Sequence, residues 1–88
     1  MPHLRRTPRS FRIRELLVQH RIAMGLTQTE LARAIGRTQD FVSRIENGER
    51  RLMLEDFLDF ANALSIDKVS FLAVLEEVPS ARQVRRVR

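Results

Sequence analysis

The stretch that decides the fold is Thr27–Gln39, TQTELARAIGRTQ. The pair Thr-Gln occurs in it twice, eleven residues apart, with Gly36 between the copies. The first copy has the pattern of a capping box, because Thr27 is a good helix N-cap and Glu30 follows three residues later. Gly36 is a typical helix stop, and Thr38 can cap a second helix. The repeat therefore predicts two short helices joined by a tight turn.

The remainder of the chain also has the character of helices. Only three glycines and three prolines occur in 88 residues, and neither sustained alternation nor a hairpin dipeptide indicates a strand. The sequence predicts an all-α domain of five helices, of which the pair above is the second and third. The other expected spans are a first helix from between Pro8 and Phe11 to about Met24, a fourth over about Leu54–Leu64, and a fifth from Asp67 or Lys68 to Glu77.

Apolar residues at helical spacing predict which faces of the helices turn inward. The inward positions are expected to be Ile13, Leu17, Met24, Leu31, Ala32, Ile35, Val42, Ile45, Phe57, Leu58, Ala61, Leu64, Phe71, Leu72 and Leu75. The opposite face of the third helix is polar and consists of Gln39, Asp40, Ser43, Arg44 and Asn47. The third helix thus has one face for the core and one for a ligand.

The net charge of +5 is unevenly distributed. Residues 1–14 carry five arginines and residues 79–88 carry four, with no acid in either segment. Residues 52–78 are acidic, with six acids and one lysine. Basic ends suggest a polyanionic partner, although they also serve solubility. We expect a mobile basic arm (1–9), a folded domain (10–78) and a mobile basic tail (79–88).

Several classes of function lack the residues that they need. The chain has no cysteine, and its two histidines, His3 and His20, are too isolated for a metal site. None of its serines belongs to a Ser-His-Asp arrangement, so we expect no enzymatic activity and no cofactor. No apolar run approaches the ~18 residues of a membrane span, and no signal peptide is evident. These features predict a cytoplasmic protein.

Two short helices joined by a glycine turn are the helix-turn-helix arrangement, whose second helix lies in the major groove of DNA. Ala32 is small at the point where the two helices must cross closely. On the polar face of the third helix, Gln39 can pair with adenine and Arg44 with guanine, each through two hydrogen bonds. The sequence therefore predicts double-stranded DNA as the partner.

The segment Leu26–Arg50, LTQTELARAIGRTQDFVSRIENGER, resembles the phage-repressor type of helix-turn-helix domain, the Cro/repressor and Xre group of bacterial regulators. The resemblance extends over about residues 11–77, and its motif is TQxELA, then Gly, then TQxxVSxIENG. It implies a five-helix bundle that binds operator DNA as a homodimer. We accordingly expect a transcriptional regulator, in the first instance a repressor acting at an inverted repeat.

The resemblance also implies roles for individual residues. The side chains expected at base edges are Gln39, Asp40, Phe41, Ser43 and Arg44. Those expected at the phosphate backbone are Thr27, Gln28, Arg37, Thr38, Asn47, Arg50 and Arg51. Arg21 and Glu46 match a family pair that forms a buried salt bridge between the first and third helices.

Three positions depart from the family pattern. Asp40 stands where a neutral or basic residue is more usual; its carboxylate would repel phosphate but could accept a hydrogen bond from a cytosine amino group. Phe41 replaces a small polar residue, and its ring either touches a thymine methyl group or packs on the protein. Met53 replaces a capping residue, which leaves the start of the fourth helix weakly specified.

One recognition helix in an 88-residue chain is too little for tight specific binding. We therefore expect a two-fold dimer formed by the end of the fourth helix and by the fifth, with Phe71, Leu72 and Leu75 at its interface.

Two alternatives to a simple repressor remain open. The chain could be an antitoxin or a restriction–modification controller of the same fold, with a toxin or other protein bound outside the recognition helix. It could also be a protein-interaction module, an alternative supported by Asp40 and by the balanced charge of residues 15–51.

Overall fold

The structure is a computed structural model that describes residues 7–80, and within this range it contains five α-helices and no strand. The helices are α1 (Pro8–Ala23), α2 (Gln28–Ile35), α3 (Gln39–Asn47), α4 (Leu54–Ala63) and α5 (Lys68–Glu76). Each begins and ends within a residue or two of its predicted position. The prediction of an all-α, five-helix domain is confirmed.

Local capping explains where α2 and α3 begin and end. The Thr27 hydroxyl accepts a hydrogen bond from the Glu30 backbone N–H, and the Glu30 carboxylate accepts one from the Thr27 backbone N–H at 2.8 Å. The bond from the Thr27 backbone lowers the pKa of Glu30. Thr38 caps α3 through its own side chain. Gly36 and Gly48 end the two helices with φ of 71° and 77°, in the left-handed region that favours glycine.

The start of α1 includes residues of the predicted basic arm. The Thr7 side chain caps α1, and Pro8 occupies its first turn, where the missing backbone N–H of proline is not needed. Arg9 Nε donates to the Val78 carbonyl at 2.8 Å, which joins the start of α1 to the segment after α5. Thr7, Pro8 and Arg9 are thus ordered parts of the domain. The rest of the predicted arm and tail, residues 1–6 and 81–88, lies outside the described residues.

The core sits where α1, α2, α3 and α4 meet. The helical stripes predicted for α2 and α3 are buried there, apart from a partly exposed Ile35. The side chains with the least exposure are Leu17, Leu31, Val42, Ile45, Phe60 and Leu64. These side chains fix the crossing of α2 and α3 and therefore orient the polar face of α3.

Outside α5, two residues predicted to turn inward are exposed. Met24 is 46% exposed, because α1 has already ended at Ala23 and the chain turns at Gly25. Leu58 is 43% exposed, because the inward stripe of α4 lies on the neighbouring side of the helix. That stripe follows the spacing i, i+3, i+4, i+7 and consists of Phe57, Phe60, Ala61 and Leu64.

The apolar residues of α5 divide between the core and the surface. Phe71 is 4% exposed, and its ring lies 4.9 Å from that of Phe57 and 6.2 Å from that of His20. Leu75 is half-buried, whereas Leu72 is 53% exposed. Phe71, which the sequence places at a dimer interface, therefore has almost no surface to offer a partner. Its ring belongs to the core of its own chain.

Candidate nucleic-acid interface

The predicted DNA-binding surface consists of the outward face of α3 together with the start of α2. Val42 and Ile45 are buried and fix α3 against the core. On the other side of the helix Gln39, Asp40 and Arg44 are exposed. The burial of one face of α3 therefore leaves the predicted base-contacting face open to a ligand.

A chain of polar contacts connects α1 to the exposed face. Arg21 Nε donates to Glu46 Oε2 at 2.7 Å, and Arg21 Nη2 donates to Glu46 Oε1 at 3.0 Å. Gln28 Nε2 donates to the same Oε1 atom at 2.8 Å. Gln39 Nε2 then donates to Gln28 Oε1 at 2.7 Å. The expected pairing of Arg21 with Glu46 is present in the structure, and it extends through both glutamines of the doubled Thr-Gln.

These contacts determine which hydrogen-bonding groups of each glutamine remain for a ligand. A side-chain amide has two N–H donors and an oxygen with two lone pairs. Gln39 uses one donor on Gln28, so among the residues that the structure describes it keeps one donor and its whole oxygen. Adenine presents in the major groove an acceptor, N7, beside a donor, the N6 amino group. The remaining N–H and the oxygen of the Gln39 amide therefore match the acceptor and the donor that adenine presents. Among the described residues, Gln28 keeps one N–H for a ligand.

Arg44 is held by acidic neighbours on the exposed face. Its Nε donates to Asp40 Oδ2 at 2.8 Å, and its Nη1 lies 3.9 Å from Glu49 Oε1. The hydrogen bond to Asp40 raises the pKa of Arg44 above its ordinary value. The sequence interpretation does not anticipate this ion pair, although the i,i+4 spacing is the one at which such pairs form.

Phe41 packs on the protein instead of facing a base. Its ring is 7% exposed and lies 6.4 Å from that of Phe60. The guanidinium carbons of Arg37 and Arg50 lie 3.9 and 4.9 Å from its centroid, within the range of cation–π attraction. Of the two alternatives stated for Phe41, the geometry matches packing. The ring serves as a platform for two arginines beside the recognition helix.

Arg37 has a second partner that the sequence interpretation misses. Its Nη2 donates to Asp56 Oδ1 at 3.0 Å, and Asp56 is a buried acid in the first turn of α4. No pattern in the sequence links these residues, which lie nineteen positions apart. Because Asp56 and Phe41 both engage Arg37, its guanidinium is held between them.

The other predicted DNA-contacting residues surround this face. Asn47 and Ser43 lie one turn apart on α3, with Asn47 Nδ2 3.4 Å from Ser43 Oγ. Arg51 is exposed in the segment after α3. An open groove of about 530 Å³ runs beside the start of α3. Three arginines and one aspartate dominate its lining, which consists of Gly36, Arg37, Thr38, Asp40, Phe41, Arg44 and Arg50.

Residues 7–80 do not form a metal site or a membrane span. No group of histidine and carboxylate side chains in this range is placed to hold a metal ion. In the same part of the chain, no helix combines the length and the apolar character needed to cross a membrane.

Comparisons with known proteins agree with this geometry. A family model described as a helix-turn-helix domain matches residues 9–70. A solved structure, an Xre-family-like protein from Pseudomonas syringae pv. tomato strain DC3000, shares 44% sequence identity with a TM-score of 0.73. The match covers 77% of this chain and 83% of that one. No curated protein is significantly similar in sequence. The matched domain contains the capped α2 and α3 and their exposed polar face, and the chain belongs to the Xre-type helix-turn-helix family of DNA-binding regulators.

Proposed function

We propose that this protein is a sequence-specific transcriptional repressor that binds an inverted-repeat operator as a homodimer. The observation that carries the proposal is the free hydrogen-bonding capacity of Gln39, which the contact with Gln28 at 2.7 Å directs toward a base. A glutamine held in this way discriminates adenine from the other bases. Arg44, five residues further along α3, supplies a guanine contact.

The phosphate backbone is held by residues around the recognition helix. Gln28 opens α2 at the positive end of that helix, and it retains one N–H donor among the described residues. Arg50 is held on Phe41 beside α3, and Arg51 follows it in the chain. Such contacts set the register of the protein on the duplex, whereas Gln39 and Arg44 distinguish sequences.

The proposed dimer surface uses the exposed apolar residues of α5. Val69 is 78% exposed and Leu72 is 53% exposed, and their i,i+3 spacing places them on one face of the helix. Burial of this face against a second copy would bring two recognition helices to two half-sites. A dimer matches the two-fold symmetry of an inverted repeat.

Selection from a pool of random duplexes tests the proposal. We expect the wild-type protein to enrich an inverted repeat whose half-site centres lie about one helical turn apart, roughly 34–36 Å. Enrichment of single half-sites without symmetry would contradict the dimer. Failure to enrich any sequence, with equal binding of all duplexes, would contradict sequence-specific regulation.

A further inference from the structure

An acidic side chain occupies the middle of the proposed DNA-binding face. The Asp40 side chain is 71% exposed and lies in the first turn of α3. A carboxylate there opposes the attraction to phosphate that supplies most non-specific affinity for DNA. Asp40 therefore weakens binding to DNA in general. The contact of Asp40 with Arg44 indicates what Asp40 contributes to recognition.

Asp40 holds one edge of the Arg44 guanidinium and leaves the other available. The Nε atom of Arg44 is engaged by Asp40 Oδ2 at 2.8 Å. Nη1 lies at the long distance of 3.9 Å from Glu49, and Nη2 has no partner within residues 7–80. A guanine presents two adjacent acceptors, O6 and N7, which two N–H groups of an arginine can bind together. The terminal edge of Arg44 retains the geometry for that contact.

The same terminal edge would also suit a phosphate. Arginine also binds phosphate through two parallel hydrogen bonds. Carboxylates on two sides of Arg44 change this competition, because they repel a charged phosphate much more than the uncharged edge of a base. The arrangement thus disfavours the wrong ligand, which is a recognised source of specificity.

We propose that Asp40 is a positioning residue that directs Arg44 to guanine and disfavours its contact with phosphate. The inference rests on the proposed function, and it assigns Asp40 a different role from the cytosine contact suggested by the sequence. Asp40 touches Arg44 and not the DNA. It raises the ratio of operator affinity to non-specific affinity while lowering non-specific affinity itself.

The experiment compares four variants on a duplex selected by the wild-type protein and on random duplex, over a series of salt concentrations. Asp40→Asn removes the charge, and Asp40→Glu restores a carboxylate at a spacing that also pairs with arginine. Glu15→Gln is the matched control, because Glu15 accepts from Arg12 at 2.7 Å in an exposed pair on α1. It removes the same charge and releases an arginine outside α3. Arg44→Ala identifies the base pair that Arg44 contacts.

We expect Asp40→Asn to bind random duplex more tightly than the wild type, with a salt slope steeper by about one unit. The preference for the base pair that Arg44 contacts should fall by about twofold, from loss of the Asp40–Arg44 ion pair alone. Asp40→Glu should restore that discrimination. Glu15→Gln should leave it unchanged even if the added positive charge raises its overall affinity.

Two results would overturn the inference. In the first, Asp40→Asn keeps full discrimination at the Arg44 base pair and loses preference for a cytosine elsewhere, so that Asp40 contacts the base directly. In the second, Asp40→Asn and Glu15→Gln behave alike, so that only net charge matters. Failure of the proposed function is distinguishable from both, because the wild-type protein would then select no sequence at all.

Discussion

Arg21 and Glu46 form a two-point ion pair between α1 and α3, in which the two side chains are 14% and 5% exposed. Both Glu46 oxygens accept from Arg21, and one of them also accepts from Gln28. The pair fixes the end of α3 to the body of the domain. It also forms the base of the polar chain that orients Gln39.

Replacement of Glu46 should therefore destabilise the domain. Glu46→Ala leaves the partly buried Arg21 guanidinium without its counter-charge, and loss of one partner of a fully buried pair typically lowers the free energy of unfolding by ~3–5 kcal/mol. Thermal denaturation should show a melting temperature lower by about 10 °C or more. Glu15→Ala, which breaks an exposed pair, is the control and should change the melting temperature little. Equal small changes in both variants would show that the Arg21–Glu46 pair contributes little to stability.

Gln39→Ala tests the adenine contact. Removal of the amide should weaken binding to the selected duplex by ~1–3 kcal/mol and affect random duplex little. Substitution of the base pair that Gln39 contacts should then no longer change the affinity of the variant. Fluorescence anisotropy with matched and base-substituted duplexes measures both effects. A uniform loss on all duplexes would instead place Gln39 at the phosphate backbone.

Arg44 and Arg50 should separate base recognition from backbone binding. Arg44→Ala should reduce the ratio of selected to random affinity by about tenfold or more. Arg50→Ala should weaken both affinities alike and lower the salt slope by about one unit. Salt titration of each variant on both duplexes measures the difference. If the two variants behave alike, Arg44 binds phosphate, and specificity must come from Gln39 and its neighbours.

The Phe41 platform should act on backbone binding without contact to DNA. Phe41→Leu keeps an apolar core residue but removes the π face on which Arg37 and Arg50 lie. We expect a shallower salt dependence on random duplex with unchanged base preference. Phe60→Leu, a buried aromatic with no arginine within cation–π distance among the described residues, is the control for loss of core volume. A shallower slope in both variants would trace the effect to stability.

The proposed dimer should depend on the exposed face of α5. Leu72→Asp places a charge in an apolar contact, so it should shift the protein toward monomer and reduce affinity for a full inverted repeat. Light scattering with and without DNA measures the assembly. Glu76→Gln, an exposed change on the same helix, should leave the dimer intact. A wild-type protein that is monomeric in both conditions would exclude this surface.

Local signals explain how much of the fold the sequence predicts. The capping pattern at Thr27 and the glycine stop at Gly36 depend only on neighbouring residues, so both can be identified without tertiary information. Leu58 illustrates the limit. It lies beside Phe57 at the edge of the apolar stripe of α4, and only the packing against α2 and the rest of the core decides which neighbour turns inward.

The side-chain contacts at the proposed DNA-binding face are harder to predict from the sequence. The Asp40–Arg44 pair follows a local i,i+4 rule, but the rule does not reveal whether the arginine pairs with protein or with DNA. The sequence predicts Arg37 at phosphate, yet the structure gives it Asp56 and Phe41 as partners. Such long-range pairs arise from the crossing of helices, and a single sequence contains no local signal for them.

The most direct test of DNA recognition by α3 is the affinity of the wild-type protein for a selected duplex and for a random duplex, measured by anisotropy from about 50 to 200 mM salt. We predict that both affinities fall linearly on a logarithmic scale. We also predict that the selected duplex binds at least about 10³-fold more tightly at physiological salt. Equal affinity for both duplexes, or affinity that does not change with salt, would contradict recognition of DNA by this helix.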